Sequence, residues 1–306
     1  MIKKYPKISV FIIVYNQESF INETIDSVLN QEYPNIEIVI GDDCSTDNTV
    51  QILQQYKLKY PDIIKLILSP KNEGITANCN KVLKECTGEY VALLGGDDYW
   101  LPTKLKKQIE WFNQNPEAVL CYTPTKAFQS ETKEVLYTQP TVTALELMEM
   151  DVLNMTYNLG ASESSFLIKK DAIPESGFNP LIPTVSDWLF MIQIMYNKKI
   201  GGVSEALTMY RRHLNNTSNN LSQIYNEHYI TLQIVKNIFP ELNNLVREWE
   251  LDTLVKLCKV NANLMNSLTN VMNMSDLWVK SSNSFRFKIF MKINLKYTFK
   301  RILKIR

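Results

Sequence analysis

The chain has 306 residues, 45% hydrophobic and 10% aromatic, enough for one large domain, or for a domain of roughly 200 residues plus an appendage. A formal charge of +1 gives no global pull toward nucleic acid, and none is expected as a partner. Five cysteines scattered at 44, 79, 86, 121 and 258 suit a reducing compartment rather than a disulfide framework, and no window reaches the ~20 apolar residues that span a bilayer.

Lys3, Lys4 and Lys7 precede a short apolar run, but the sequence beyond it turns polar without a cleavage site, so residues 8–14 (ISVFIIV) read as a buried strand. Tyr15 and Asn16 break that strand, and Ile21, Ile25, Val28 and Leu29 fall at helical spacing. A second strand, residues 36–40, runs into Asp42-Asp43-Cys44-Ser45-Thr46, where Ser45 or Thr46 is expected to cap the next helix. Strand three covers residues 64–68, and a loop with Asn72 and Gly74 leads to a helix bearing Ile75, Cys79, Val82 and Cys86. Residues 90–94 form a fourth strand that ends in Gly95-Gly96-Asp97-Asp98. A helix over 103–113 and a strand over 118–122 follow.

Residues 155–166 read as a loop and short strand, rich in small and hydroxyl side chains. Ser186-Asp187-Trp188 opens an apolar helix, and a strand near 206–210 ends in Arg211-Arg212-His213. From about 220 to 274 the pattern is helical. Alternating strands and helices of this kind give a mostly parallel α/β sheet with right-handed crossovers.

No strand-to-helix turn carries a glycine-rich phosphate cradle. Two turns instead carry paired aspartates, and such carboxylates at buried strand ends are costly unless something positive meets them. Ligands bind at that edge of open α/β sheets, and hard cations enter there with a substrate's phosphates through one or two carboxylates. Asp97 and Asp98 are therefore read as a metal–diphosphate site.

In order along residues 7–215, these pieces resemble the family-2 glycosyltransferases of GT-A fold, which use nucleotide-sugar donors. The resemblance is carried by Tyr15-Asn16, Asp42-Asp43-x-Ser45, Asn72-x-Gly74, the aspartate turn before Trp100-x-Pro102, Asp187-Trp188 and Tyr210-Arg211-x-His213. It implies a catalytic domain over 1–215, with a nucleotide half to about 122 and an acceptor half beyond, and a helical region over 216–306. It also implies that Asp43 accepts from a pyrimidine base stacked on Tyr15, with Ile13 and Asn78 in the same pocket. By the same resemblance Asp97, Asp98 and His213 hold Mn²⁺ or Mg²⁺, Asp97 and Asp98 also facing the donor, and Asp187 is the general base of an inverting transfer. The expected donor is a UDP-sugar, and the expected acceptor a glycan or lipid-linked hydroxyl in cell-surface polysaccharide synthesis. A sugar-phosphate nucleotidyltransferase and a non-catalytic nucleotide-binding subunit are the rival readings.

Three departures stand out from the family pattern. Gly95 replaces the first acid of its D-x-D, Cys79 an arginine, and Ser186 a glutamate. Finally, residues 285–306 carry eight Lys or Arg and no acid, with Lys288, Lys292, Lys296, Lys300 and Lys304 at four-residue spacing. Interleaved with Phe, Ile and Tyr, they predict a basic amphipathic helix on an anionic membrane surface, and so a cytoplasmic enzyme peripheral to the inner face of the cell membrane.

Overall fold

A computed structural model describes residues 5–140, 150–159 and 162–260; the basic stretch 285–306 lies outside the described residues. The chain divides into two compact units, 1–219 and 220–306.

In the first unit a seven-stranded sheet forms around β1 (Ile8–Val14), whose residues are nearly all buried, as a strand covered on both faces requires. The strand order is β10-β6-β9-β4-β1-β2-β3, with β2 (Ile36–Asp42), β3 (Ile64–Leu68), β4 (Tyr90–Gly95), β6 (Leu120–Tyr122), β9 (Leu167–Lys169) and β10 (Ile200–Gly202). Pairing is parallel except for β9, which runs antiparallel between β4 and β6. Register decides where the chemistry collects. Ile13 pairs with both Gly41 and Gly95, and Val14 with Asp42, so the turns after β1, β2 and β4 emerge at one edge.

Helices α1 (Ile21–Leu29), α2 (Thr49–Lys59), α3 (Ile75–Glu85) and α4 (Lys104–Gln114) connect these strands. The inner faces of α1 and α4, with Ile21, Ile25 and Val28 and with Leu105, Ile109 and Phe112, join Val10, Ile12 and Leu94 in one core. The start of α2 corrects the sequence expectation: Asp47 Oδ1 accepts from Thr49 N at 3.0 Å, whereas Ser45 Oγ is spent on Asp42 at 2.5 Å. A second correction concerns the segment read as a loop, since Val152–Leu159 forms helix α5 and Glu163–Ser165 a 3-10 turn.

A smaller sheet, ordered β5-β11-β7-β8, contains β5 (Tyr99–Trp100), β7 (Thr125–Gln129), β8 (Val135–Gln139) and β11 (Thr208–Arg212). Because Met209 pairs with Tyr99, β11 delivers Arg211 to His213 beside the aspartate turn. Helix α6 (Asp187–Met195) is buried along most of its length. In the second unit α7 (Leu221–Ile238) and α8 (Asn243–Val260) are tied by Gln233 and Lys236, both hydrogen-bonded to buried Glu250.

Lys104, at the start of α4, is fully buried, with Nζ 4.1 Å from the Trp100 ring centroid and 2.9 Å from Gln108 Oε1. Among the described residues no carboxylate pairs with it, and burial pushes its ammonium from 10.5 down to about 7. Between those values the unfolded chain binds more protons than the native one, so this group makes the protein more stable as pH rises from 7 to 10.5. Lys104→Met removes that dependence. Its stability relative to wild type is expected to be greatest at pH 6 and to shrink toward pH 10.5, by at most about 5 kcal/mol. Denaturant melts across that range check this, and a difference independent of pH would contradict it.

Candidate active site

Beyond β4 the chain turns at once, with Asp98 N donating to Gly95 O at 3.2 Å. The turn needs glycine at 96, because a Cβ there would lie 2.5 Å from Val14 Cγ1. Its two aspartates face different surroundings. Asp98 is 2% exposed. Its carboxylate accepts from Ser164 Oγ at 2.5 Å, Ser162 Oγ at 3.0 Å and Arg211 N at 3.0 Å. Burial, and then the neighbouring Asp97 charge, outweigh those bonds and push Asp98 up to about 7. Asp97 is part-buried, its side chain 19% exposed. Its Oδ2 meets His213 Nε2 at 2.9 Å and Asn216 Nδ2 at 3.3 Å, while Oδ1 takes no hydrogen bond among the described residues.

Arg211 braces this turn. Its Nε donates to Asp97 O at 2.7 Å, and its guanidinium bonds Glu23 and sits over Phe20, at 4.8 Å, and Phe128, at 4.9 Å. His213 Nδ1 accepts from Asn215 N at 3.2 Å, which leaves Nε2–H as the donor toward Asp97. So placed, the ring orients Asp97; ligating a cation through Nε2 would require giving up the Asn215 bond.

The second acidic strand end lies across β1. Asp43 is buried and accepts from Glu73 N at 2.9 Å and Gly74 N at 2.7 Å, which holds the 69–74 loop over the end of β2. Tyr15, which follows the Val14 carbonyl bonded by Asp43 N at 3.0 Å, is 45% exposed. Ile13 is half-buried in β1. Asn78, by contrast, is 1% exposed and donates to Gly41 O at 2.8 Å. It supports β2 from beneath.

Asp187 opens α6. The preceding Ser186 is committed elsewhere, its Oγ 2.7 Å from Thr76 Oγ1. Asp187 Oδ1 is buried and reached by no N–H or O–H donor among the described residues. Glu163, from the 3-10 turn, is near enough to Asp187 for the charge of one to bear on the other. Burial first, and then the Asp187 charge, push Glu163 well above the usual carboxyl range. Cys79, on α3, senses both carboxyls and is itself pushed up by burial. Glu163 and the bracing role of Arg211 were missed by sequence reasoning. The one signal was an acid among the small hydroxyl residues of 161–165.

A mostly parallel sheet flanked by helices, with acidic turns at the carboxyl ends of β2 and β4, defines a GT-A α/β protein. The sequence profile of "Glycosyl transferase family 2" matches residues 9–177, and the chain belongs to that family. Uncharacterised proteins of Mycobacterium tuberculosis are 32% identical over 209 residues, 67% of this chain and 58% of theirs, so the chain spans little more than half their length. The putative teichuronic acid biosynthesis glycosyltransferase TuaG of Bacillus subtilis is 43% identical over 106 residues, 35% of this chain and 42% of its own. Two solved structures share the fold. TarS of S. aureus, residues 1–349 in complex with UDP-GlcNAc, superposes with a TM-score of 0.58 at 22% identity, covering 92% of this chain and 77% of that one. The mannosyltransferase PcManGT of Pyrobaculum calidifontis, in complex with GDP-Man and Mn²⁺, gives 0.58 at 14% identity, covering 95% and 85%.

Proposed function

We propose that this family-2 glycosyltransferase moves a sugar from a nucleotide-diphosphate donor, a UDP-sugar first, to a hydroxyl of a glycan or lipid-linked acceptor, with inversion. The observation that carries the reading is the turn after β4. Asp97 is held by His213, Asn216 and the Arg211 brace, yet presents Oδ1 at the edge where α/β sheets bind ligands. TarS with UDP-GlcNAc and PcManGT with GDP-Man support a nucleotide-sugar donor.

The donor set fits Mn²⁺ or Mg²⁺ held through Asp97 with the substrate's phosphates, and not a protein cage. Among the described residues no three His, Cys, Asp or Glu converge as ligands. Bound there, the cation would neutralise charge on the leaving diphosphate. Asp98, turned inward and already accepting three bonds, acts in this reading as a brace. Asp43 fixes the 69–74 loop and keeps lone pairs for a base N–H, with Tyr15 exposed alongside. Asp187 takes the proton of the acceptor hydroxyl as that oxygen bonds the anomeric carbon. The bond from that carbon to the diphosphate breaks in the same displacement, on the opposite face, its electron pair leaving with the phosphate oxygen.

The experiment is a transfer and hydrolysis assay with UDP- and GDP-sugars, with and without Mn²⁺. Metal-dependent release of UDP supports the reading, and no turnover of any donor in the presence of acceptor extracts contradicts it. The catalytic region is assigned to 1–215 and the appendage to 216–306. No helix among the described residues is long and apolar enough to cross a membrane, and the basic stretch 285–306 is proposed as the membrane contact. Full-length protein is expected to sediment with anionic vesicles, to be released by salt, and to ignore neutral vesicles. Equal binding to both kinds would contradict the electrostatic part of that proposal.

A further inference from the structure

We propose that the first turn of α1 positions the Asp97 carboxylate for the cation, Thr24 and Glu23 together fixing the backbone at and on both sides of that residue. This rests on the reading of Asp97 as the acid that holds the metal.

Thr24 is a polar residue on the helix face that builds the core. Ile21, Ile25 and Val28 on that face are fully buried, and so is Thr24. A buried hydroxyl is costly unless its hydrogen bonds are made. Thr24 makes them to the aspartate turn, more than seventy positions away. Its Oγ1 lies 3.0 Å from Gly96 O and 2.8 Å from Asp98 O, the carbonyls on either side of Asp97, against 3.4 Å from Phe20 O in its own helix. A hydroxyl has one proton to give, so the two flanking carbonyls share it.

The carbonyl between them is held from the same helical turn at one remove. Arg211 Nε donates to Asp97 O at 2.7 Å, and the Arg211 guanidinium is bonded by Glu23, the residue before Thr24. Phe20, one turn earlier on that side of the helix, packs against the Arg211 guanidinium and, with ring centroids 4.8 Å apart, against His213. Three successive carbonyls are thus fixed, and the direction in which Asp97 leaves the backbone is fixed with them. His213, which holds Oδ2, rests on the same turn. Later turns of α1 serve the segment beyond the site: Ser27 Oγ accepts from Trp100 N at 3.2 Å, and Gln31 Nε2 donates to Leu101 O at 2.9 Å. Groups that hold a metal ligand in place bear on metal affinity almost as the ligand does.

The test titrates UDP calorimetrically over a series of Mn²⁺ concentrations into wild type, Thr24→Val, Thr24→Ser, Glu23→Ala and Asp97→Ala, with a thermal melt of each. Thr24→Val keeps the shape and loses the hydroxyl; it is expected to need roughly 10-fold more Mn²⁺ for half-maximal UDP binding. Thr24→Ser, which restores the hydroxyl, returns the requirement to that of wild type. Glu23→Ala raises it in the same direction, and because the Glu23 side chain is 47% exposed the core tolerates its loss. A hydroxyl that only supports the fold would lower the melting temperature of Thr24→Val and leave the Mn²⁺ requirement of the folded protein unchanged, which overturns the inference. A wild-type requirement in Glu23→Ala overturns it too, and decides the matter should Thr24→Val fail to fold. If UDP binding by wild type ignores Mn²⁺, or survives Asp97→Ala intact, it is the metal reading that has failed, and this inference falls with it.

Discussion

Asp187→Asn is expected to lower the transfer rate by about 10³-fold, within the 10²–10⁴ range typical of a lost general base, while UDP binding is unchanged. The substitution preserves shape and removes only the capacity to take a proton. Asn keeps the size and shape of the side chain at the N-terminus of α6, and the preceding Ser186 stays held by Thr76. Folding should therefore survive, and a loss confined to kcat would separate chemistry from binding. Near-normal turnover would place the base elsewhere.

Asp97→Ala should abolish the metal dependence of nucleotide binding and weaken UDP in Mn²⁺ by about a hundredfold or more, close to 3 kcal/mol. The reason is the division of labour between adjacent acids. Asp98 is built into the turn through Ser162, Ser164 and Arg211. Asp97 is part-buried, bonds His213 and Asn216 through Oδ2, and leaves Oδ1 free of hydrogen bonds among the described residues. Removing it costs two part-buried hydrogen bonds, from His213 and Asn216, and little apolar packing. Asp98→Ala is a poorer probe, since it would leave Arg211 N and two serine hydroxyls without their acceptor.

The strand ends were legible from sequence because continuous apolar runs stop at glycine and aspartate, a contrast that only buried parallel strands produce. Which of Asp97 and Asp98 faces outward was not legible. Adjacent side chains on a turn take different directions, and the choice was made by Ser162 and Ser164, more than sixty positions away. Glu163 was invisible for a related reason: its neighbour Asp187 is brought to it by the fold and not by spacing. Arg211 entered the sequence reading only as part of Tyr210-Arg211-x-His213, and its burial at 2% exposure against Phe20 and Phe128 depends on residues far away in the chain. The antiparallel insertion of β9 was also hidden, since three residues carry no periodicity. Asn78 was placed in the donor pocket by resemblance; its Nδ2 donates to Gly41 O, and its buried Oδ1 has no partner among the described residues.

The most direct measurement is calorimetric titration of UDP and UDP-sugars into wild type and Asp97→Ala, each with and without Mn²⁺. Binding in wild type that requires Mn²⁺, and its loss in Asp97→Ala, is the predicted result. Absence of nucleotide binding by wild type in Mn²⁺, or binding indifferent to both metal and Asp97, would contradict a donor site at the end of β4.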